Sequence, residues 1–217
     1  MKIHVVEDFN FTPSQKERLE KLGKVIYFSG VPNDEELGKR SENADILAVN
    51  WAPLDTGVSN IKKGVKLISI PFTGVGWIPL KDYSSKGVKI ANSPGYSTEA
   101  VAEFGIGLML SVVRKINSYF KAEPKVETPS TLYGKTLVIL GAGRIAHQVG
   151  SIAKSLGMKV IFWKRGEDLI QKIREADVLY SALPFSDDTK NLLGVNEFKY
   201  MKKNSYFVTT SHNQIYD

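Results

Sequence analysis

Three small residues in the second half of the sequence have the spacing of a phosphate-binding turn. Gly141, Gly143 and Ala146 form the pattern G-x-G-x-x-A directly after an apolar stretch, Thr136–Leu140, and before a helical pattern. Gly141 permits a tight turn, Gly143 lets a phosphate approach the backbone, and Ala146 lets the helix lie against the strand. The pattern therefore predicts a dinucleotide site at a helix start, and the alternative is a glycine turn without a ligand.

The end of the next predicted strand bears on the choice of nucleotide. Lys164 and Arg165 stand there, no acid is predicted at the strand tip, and Glu167 and Asp168 come shortly after. A carboxylate at the tip would bind a ribose 2′-hydroxyl, whereas two cations would pair with a 2′-phosphate. The sequence therefore predicts NADPH (NADP) in preference to NADH (NAD). The alternative is a pair of solvated cations with NADH still accepted.

Composition restricts the class of protein. The 217 residues are 42% hydrophobic and 24% charged, as in globular proteins of one or two domains. The absence of cysteine excludes disulfides and cysteine-based zinc sites and fits a cytoplasmic location. The longest apolar run, Phe104 to Val113, is too short to cross a bilayer, so no membrane partner is expected. The lysines are scattered despite a net charge of +6, which predicts a solvated surface rather than a nucleic-acid partner.

The first ninety residues alternate between strand and helix patterns. Thr12 and Gln15 have the spacing of a capping box, and Asn33 is placed to cap a second helix. Short strands separated by helices predict a parallel sheet covered on both faces. The predicted strands are Lys2–Val6, Val25–Phe28, Ile46–Val49, Lys66–Ile70 and Val88–Ala91, and the predicted helices are Ser14–Leu22 and Asp34–Ser41.

A long helical pattern, from Ser97 to Tyr119, opens the second half and is predicted to be a core helix. It carries one apolar stripe and several small residues that allow close packing: Val101, Phe104, Leu108 and Val112, with Ala100, Gly105 and Gly107. A loop with Pro124 and Pro129 leads to a second series of strands and helices. The strands are predicted at Thr136–Leu140, Val160–Trp163, Val178–Ala182 and Tyr206–Thr210, and the domain boundary is placed near Ser93-Pro94-Gly95.

Three ordered stretches of the sequence resemble one family of enzymes. They read GVKIANSPGYSTEAVAEFGIGLML, LYGKTLVILGAGRIAHQVGSIAKSLGMKV and ADVLYSALPFSDDTKNLLGVNEFKYMKKNSYFVTT, and the final Asp217 also matches. From about Lys66 onward the chain resembles the D-isomer-specific 2-hydroxyacid dehydrogenases. The resemblance implies two doubly wound α/β domains, a flavodoxin-like substrate domain (1–93) and a Rossmann NAD(P)-binding domain (94–217), with the active site in a cleft between them. It also implies a homodimer joined through the long helices.

The resemblance also implies roles for individual residues. Thr73, Gly74 and Val75 match the loop whose backbone N–H groups hold the substrate carboxylate, and a simple glycine turn is the alternative. The positions that match cofactor contacts are Thr98 near the nicotinamide, Arg144 and Ile145 at the diphosphate, Leu183, Pro184 and Thr189 on the adenosine side, and Thr210 and Ser211 beside the nicotinamide.

Two departures from the family pattern affect the expected chemistry. His212 stands where the family has an arginine that grips the substrate carboxylate and keto oxygen, and an imidazole lacks those paired donors. His212 could donate one hydrogen bond to a carbonyl, the site could have lost activity, or the substrate could differ. The family's acid–base glutamate and histidine would follow Asp217, and His4 and His147 are interpreted as structural or surface groups. The chain is therefore interpreted as part of a longer enzyme, with a naturally short protein as the alternative.

The sequence thus predicts an NAD(P)-dependent oxidoreductase that interconverts a small 2-oxoacid and a D-2-hydroxyacid. The alternative hypothesis is a sensor or partner-binding protein that keeps the fold and binds the cofactor without turnover, which His212 favours. Nucleic-acid binding ranks third, because the sequence shows no basic stripe or aromatic platform.

Overall fold

Two units divide the chain, Met1–Tyr96 and Ser97–Asp217. The computed structural model describes residues 1–121 and 128–217, so Pro124 of the predicted loop lies outside the described residues. Each unit has its own parallel sheet. The predicted α/β class with two parallel sheets is therefore confirmed. Within the described residues no helix is long and apolar enough to cross a bilayer.

The first unit is a five-stranded parallel sheet flanked by short helices. Its elements are β1 (Lys2–Val5), α1 (Pro13–Glu20), β2 (Lys24–Tyr27), α2 (Asp34–Arg40), β3 (Ile46–Ala48), β4 (Leu67–Ser69), α3 (Leu80–Ser85) and β5 (Lys89–Ala91), with a 3₁₀ turn at Gly57–Ser59. The strand order is β2-β1-β3-β4-β5, the flavodoxin-like order. Leu47 and Ile68 at the centre of the sheet are fully buried, as expected for strands covered on both faces.

The first two helices begin where the capping signals predict. Thr12 Oγ1 accepts the N–H of Gln15 at 3.4 Å, and Gln15 Oε1 accepts the N–H of Thr12 at 2.8 Å, which completes the capping box. Asn33 Oδ1 accepts the N–H of Glu36 at 2.9 Å. These local bonds satisfy amides that the helix itself leaves unpaired, so the sequence was sufficient to place both helix starts.

The second unit contains a four-stranded parallel sheet. Its elements are α4 (Thr98–Val113), α5 (Ile116–Phe120), β6 (Thr136–Leu140), α6 (Arg144–Ser155), β7 (Lys159–Trp163), α7 (Leu169–Glu175), β8 (Val178–Ser181), α8 (Val195–Phe198) and β9 (Tyr206–Thr209), followed by a 3₁₀ turn at Asn213–Ile215. The strand order is β7-β6-β8-β9, and all pairs are parallel. Because β6 lies between β7 and β8, the glycine turn after β6 is at a point where the strand order reverses, and ligands bind at such points in open sheets.

The long helical pattern from Ser97 to Tyr119 is two helices rather than one. Lys115 has a φ of 55°, in the left-handed region, and separates α4 from α5. The predicted apolar stripe is also not the buried face of α4, since Phe104 is 62% exposed. The buried face consists of Ala102, Gly105, Ile106, Met109 and Val113. Both faces are apolar, and the face that packs against α6 and β9 is the one that becomes core.

At Gly105, helix α4 lies close against strand β8. A Cβ on Gly105 would overlap the hydroxyl of Tyr180 and lie 2.9 Å from its ring, and Tyr180 is fully buried. We expect Gly105→Ala to lower the free energy of unfolding by about 1–3 kcal/mol, because the buried ring must shift. Urea unfolding followed by circular dichroism measures the change.

Gly107 provides the matched control on the same helix. The prediction of close packing is wrong for this residue, since among the described residues nothing lies within 4 Å of a Cβ placed there. Gly107→Ala should therefore raise the free energy of unfolding by about 0.5–1 kcal/mol through helix propensity alone. Equal effects of the two substitutions would contradict the packing argument.

Candidate functional site

A glycine turn joins β6 to α6 at the carboxyl edge of the second sheet. Gly141 has a φ of 102°, in the left-handed region that side chains disfavour, and a Cβ there would lie 3.4 Å from the carbonyl oxygen of Ala182. Gly143 is the N-cap of α6 and provides no side-chain cap, and a Cβ on it would meet nothing within 4 Å in the described chain. The positive helix end thus lies next to open space, which fits the diphosphate of a dinucleotide.

A cleft of about 590 Å³ lies beside this turn, within the size range of small-molecule sites. The ends of β6, β7 and β8 and the loop after β8 provide its walls. Six of the residues predicted to bind the cofactor line it: Gly141, Lys164, Arg165, Leu183, Pro184 and Thr189. Four further lining residues were not predicted: Ala142, Trp163, Asp188 and Leu192.

The two predicted cations lie in a tight turn at the end of β7. Trp163 Nε1 donates to the carbonyl oxygen of Glu167 at 3.0 Å, and the N–H of Lys164 donates to Glu167 Oε2 at 3.0 Å. The expectation that no acid lies at the strand tip is therefore wrong. Gly166, with a φ of 94°, is in the turn that brings Glu167 back towards the tip, three residues after Lys164.

One of these cations also has an acidic partner across the cleft. Arg165 Nη1 lies 2.9 Å from Asp188 Oδ2, and both side chains are largely exposed. In the described part of the chain, the structure records no ion pair for the Lys164 side chain. The cleft therefore carries two cations, of which one is already matched by a carboxylate.

Thr189 fixes the loop after β8, which forms another wall of the cleft. Its Oγ1 donates to the carbonyl oxygen of Pro184 at 2.7 Å and accepts the N–H of Ser186 at 2.9 Å. The Thr189 side chain is buried, so these bonds are made away from solvent. Thr189 therefore holds Leu183 and Pro184 in place, and its hydroxyl is used in hydrogen bonds within the loop.

Thr210 and Ser211 follow β9 at the same edge of the sheet, and both are bonded to β8. Thr210 Oγ1 shares a hydrogen bond with the Tyr180 hydroxyl at 2.7 Å, and Ser211 Oγ shares one with Ser181 Oγ at 2.9 Å. Burial raises the pKa of the Tyr180 hydroxyl, and the bond to Thr210 acts in the opposite direction with smaller effect. The phenol therefore stays protonated and links the ends of the two strands.

His212 begins the 3₁₀ turn that follows β9. Its Nδ1 accepts the N–H of Gln214 at 3.3 Å, and its ring stacks on Phe185 with a centroid distance of 4.8 Å. Because Nδ1 acts as an acceptor, the neutral ring assigned here carries its proton on Nε2. His212 thus has one donor available for a ligand, not the paired donors of an arginine.

The Thr73-Gly74-Val75 loop lies at the carboxyl edge of the first sheet, after β4. Thr73 Oγ1 donates to the carbonyl oxygen of Ser93 at 3.1 Å, and Asn92 Nδ2 donates to the carbonyl oxygen of Thr73 at 2.8 Å. Gly74 is exposed, and a Cβ on it would meet nothing within 4 Å in the described chain. The segment after β5 therefore anchors the loop on one side and leaves its glycine open to a ligand.

A buried carboxylate at the same edge was not predicted from the sequence. Glu7 follows β1, is 1% exposed, and accepts the N–H groups of three consecutive residues of the loop after β3. The distances are 2.8 Å to Asn50, 2.8 Å to Trp51 and 2.9 Å to Ala52. The loop leaves Trp51 68% exposed, with its ring 5.3 Å from that of Phe72, which precedes Thr73. Glu7 and its partners are 43 to 45 residues apart, so no local signal indicates the contact.

The remaining residues singled out in the sequence are placed as follows. Thr98 is the first residue of α4, and Arg144 and Ile145 open α6 after the glycine turn. His4 is buried in β1 with Nδ1 2.7 Å from the carbonyl oxygen of Arg40. His147 is exposed on α6, 4.8 Å from the ring of Phe162.

The fold and the glycine turn define an α/β protein with a dinucleotide-binding unit. The family model for "D-isomer specific 2-hydroxyacid dehydrogenase, NAD binding domain" matches residues 106–217, more than half of the chain. The protein belongs to the D-isomer specific 2-hydroxyacid dehydrogenase family. The predicted resemblance is therefore confirmed, together with the oxidoreductase class and the nicotinamide type of cofactor that the family implies.

Named relatives match nearly the whole of this chain, but the match covers different shares of their own length. The D-3-phosphoglycerate dehydrogenase of Methanocaldococcus jannaschii is 31% identical over 92% of this chain and 42% of the relative. The glyoxylate reductase of Aeropyrum pernix is 29% identical over 93% of this chain and 70% of the relative. The chain thus spans less than half of the first relative and about 70% of the second.

Two solved structures share the fold over the whole chain. An acyclic imino acid reductase in complex with NADPH and D-Arg has a TM-score of 0.89 at 25% identity, and the match covers 76% of that chain. The NAD⁺-bound 3-phosphoglycerate dehydrogenase of Entamoeba histolytica has a TM-score of 0.87 at 25% identity, with 74% of that chain covered. These two proteins bind different nicotinamide nucleotides, so the likeness supports the class of cofactor and not the phosphorylated form.

Proposed function

We propose that the protein transfers hydride between NAD(P)H and a small 2-oxoacid or D-2-hydroxyacid. The observation that carries this proposal is the open glycine turn beside the 590 Å³ cleft, in a chain that belongs to a dehydrogenase family. When bound, the nicotinamide supplies or accepts the hydride. Residues 94–217 would bind the cofactor and residues 1–93 the substrate, in the cytoplasm.

The N–H groups of the turn from Gly141 to Ile145 would hold the cofactor diphosphate. Gly143 allows the close approach that these hydrogen bonds need, and Arg144 adds an exposed cation at the same helix end. Leu183 and Pro184 would pack against the adenosine, held in place by Thr189. Lys164 and Arg165 at the end of β7 support a preference for the 2′-phosphate of NADPH over NADH.

The substrate side is proposed from two loops. The backbone N–H groups of Gly74 and Val75 would hold the substrate carboxylate, beside Thr73. His212 would donate one hydrogen bond from its Nε2–H to the substrate carbonyl. The contacts of the ring with Gln214 and Phe185 would hold it in place. A neutral donor polarises a carbonyl less than a bidentate cation does, so we expect a slower reaction than an arginine would support. The acid–base group is not assigned to a residue of this chain.

A homodimer joined through α4 and α5 is proposed with this function. Phe104, Tyr119 and Phe120 are large apolar side chains that these helices expose. Large apolar side chains left exposed on two helices support a protein interface there. Sedimentation velocity of the full-length protein measures the oligomeric state, and a monomer at micromolar concentration would contradict the dimer.

A cofactor assay tests the proposed function. Reduced nicotinamide absorbance is followed after NADPH or NADH is added to full-length protein with glyoxylate, hydroxypyruvate or pyruvate. We expect turnover with at least one 2-oxoacid and a loss in kcat/KM of about 100-fold in His212→Ala, the scale of removing one donor to a developing oxyanion. His147→Ala is the control, since that exposed histidine has no proposed role. Failure of both nucleotides to bind would overturn the proposal.

The second candidate function is a cofactor-binding sensor without turnover. The single donor of His212, at the position of the family's arginine, is the observation that favours it. The sensor would be supported if the protein binds the reduced nucleotide but does not oxidise it with any of the three 2-oxoacids. Binding should then be unchanged in His212→Ala.

A further inference from the structure

The ion pair between Arg165 and Asp188 places a negative charge inside the cleft where a 2′-phosphate would be recognised. We propose that Asp188 is a specificity-determining residue that narrows the preference between NADPH and NADH by competing with the 2′-phosphate for Arg165. This inference rests on the proposed function, because it concerns the same cleft. Asp188 is on the loop after β8, so its action on the end of β7 depends on the fold and not on sequence proximity.

The charges around the cleft show why the two cations do not act alone. Lys164, Arg165 and Asp188 all line it, and Arg165 Nη1 is 2.9 Å from Asp188 Oδ2. Glu167 adds a second carboxylate, bonded to the backbone N–H of Lys164 at 3.0 Å. A phosphomonoester with a charge of about −1.5 to −2 must therefore approach two carboxylates as well as two cations.

The exposure of the pair decides how strong this competition is. The side chains of Arg165 and Asp188 are 70% and 68% exposed, so solvent screens their attraction and a phosphate can replace Asp188 as the partner. NADPH binding is then weakened mainly by the repulsion between its 2′-phosphate and the Asp188 carboxylate, which remains nearby. An unphosphorylated ribose carries no charge and does not need Arg165. Asp188 should consequently weaken NADPH binding and leave NADH binding almost unchanged.

Removing the carboxylate without changing its shape tests the inference. Dissociation constants for NADPH and NADH are measured by nucleotide fluorescence with full-length wild-type protein and Asp188→Asn at low salt. We expect the ratio of NADPH affinity to NADH affinity to rise about fivefold, the scale expected for one exposed like-charge contact. Asp187→Asn is the matched control: it removes the same charge one residue away, from an exposed carboxylate that does not line the cleft. Its ratio should change less than about twofold, because among the described residues Asp188, and not Asp187, forms the ion pair with Arg165.

A double-mutant cycle with Arg165→Gln shows whether Asp188 acts through the arginine. Arg165→Gln alone should weaken NADPH binding. In that background Asp188→Asn should lose most of its effect on the ratio, because Arg165 no longer holds the carboxylate beside the 2′-phosphate. An unchanged ratio in Asp188→Asn would overturn the inference while leaving the proposed function intact. Absence of binding of either nucleotide to the wild-type protein would instead overturn the proposed function and this inference with it.

Discussion

Gly143→Val is expected to lower the affinity for nicotinamide nucleotides by at least about 100-fold, because the side chain would fill the open space at the start of α6 and keep the diphosphate from two or more N–H donors. A Cβ on Gly143 meets nothing within 4 Å in the described chain, and its backbone is extended, which valine adopts readily. The folded protein should therefore lose only the difference in N-cap preference, about 1 kcal/mol. Calorimetric titration with NADPH and NADH, alongside thermal unfolding, measures both effects.

Gly141→Ala separates loss of binding from loss of stability. Gly141 has a φ of 102°, so an alanine there is strained and should cost about 1–2 kcal/mol of folding free energy. The melting temperature should consequently fall more in Gly141→Ala than in Gly143→Val. Normal affinity in Gly143→Val would show that the diphosphate does not approach this turn, and the proposed cofactor site would then be wrong.

Glu7→Ala is expected to lower the free energy of unfolding of the first unit by about 3–5 kcal/mol, because three backbone N–H groups lose their acceptor. The bond to Ala52 is buried and those to Asn50 and Trp51 are partly buried. The carboxylate accepts the N–H groups of Asn50, Trp51 and Ala52 at 2.8 to 2.9 Å. Urea unfolding measures the stability, and tryptophan fluorescence together with limited proteolysis reports whether the loop around Trp51 is released.

Two further variants control this experiment. Glu7→Gln keeps the shape and one acceptor, so it should lose less stability than Glu7→Ala. Asp8→Asn removes the same charge next to Glu7, at an exposed side chain whose one recorded hydrogen bond within residues 1–121 and 128–217 is from the N–H of Gly30. It should cost at most about 1 kcal/mol. Equal losses in Asp8→Asn and Glu7→Ala would indicate that net charge, rather than the three hydrogen bonds, stabilises the unit.

The strands and the helix starts could be predicted because their causes are local. An apolar run such as Thr136–Leu140 has no solvent-facing side, so it indicates a central parallel strand whatever surrounds it. Thr12 and Gln15 satisfy each other's backbone groups within one turn of helix. The short helix α3 has no such cap, since its N-cap is Pro79 without a side-chain hydrogen bond, and it was not predicted.

The buried face of α4 could not be predicted because apolar residues surround the whole helix. The stripe that contains Phe104 and the stripe that contains Met109 have the same helical spacing, and only the packing against α6 and β9 distinguishes them. The break at Lys115 carries no glycine or proline, and a lysine in the left-handed region has no sequence signature.

The candidate cofactor site was predictable where it depends on the glycine turn and on residues adjacent to it in sequence. The acids in the cleft were harder to predict. Glu167 follows Lys164 by three residues in sequence, yet its carboxylate accepts the N–H of Lys164. Asp188 reaches Arg165 from a loop 23 residues further along the chain, so only the fold brings the two together.

The carboxylates of Glu7 and Asp188 should respond differently to ionic strength. Glu7 is buried and contacts neutral amides, so dissolved salt has little access to its hydrogen bonds. Asp188 and Arg165 are exposed charges, and the screening length falls from about 30 Å at 0.01 M salt to about 3 Å at 1 M. We therefore expect the loop around Trp51 to keep its shape at high salt. The proposed discrimination between phosphorylated and unphosphorylated nucleotides at the end of β7 should instead weaken as the salt concentration rises.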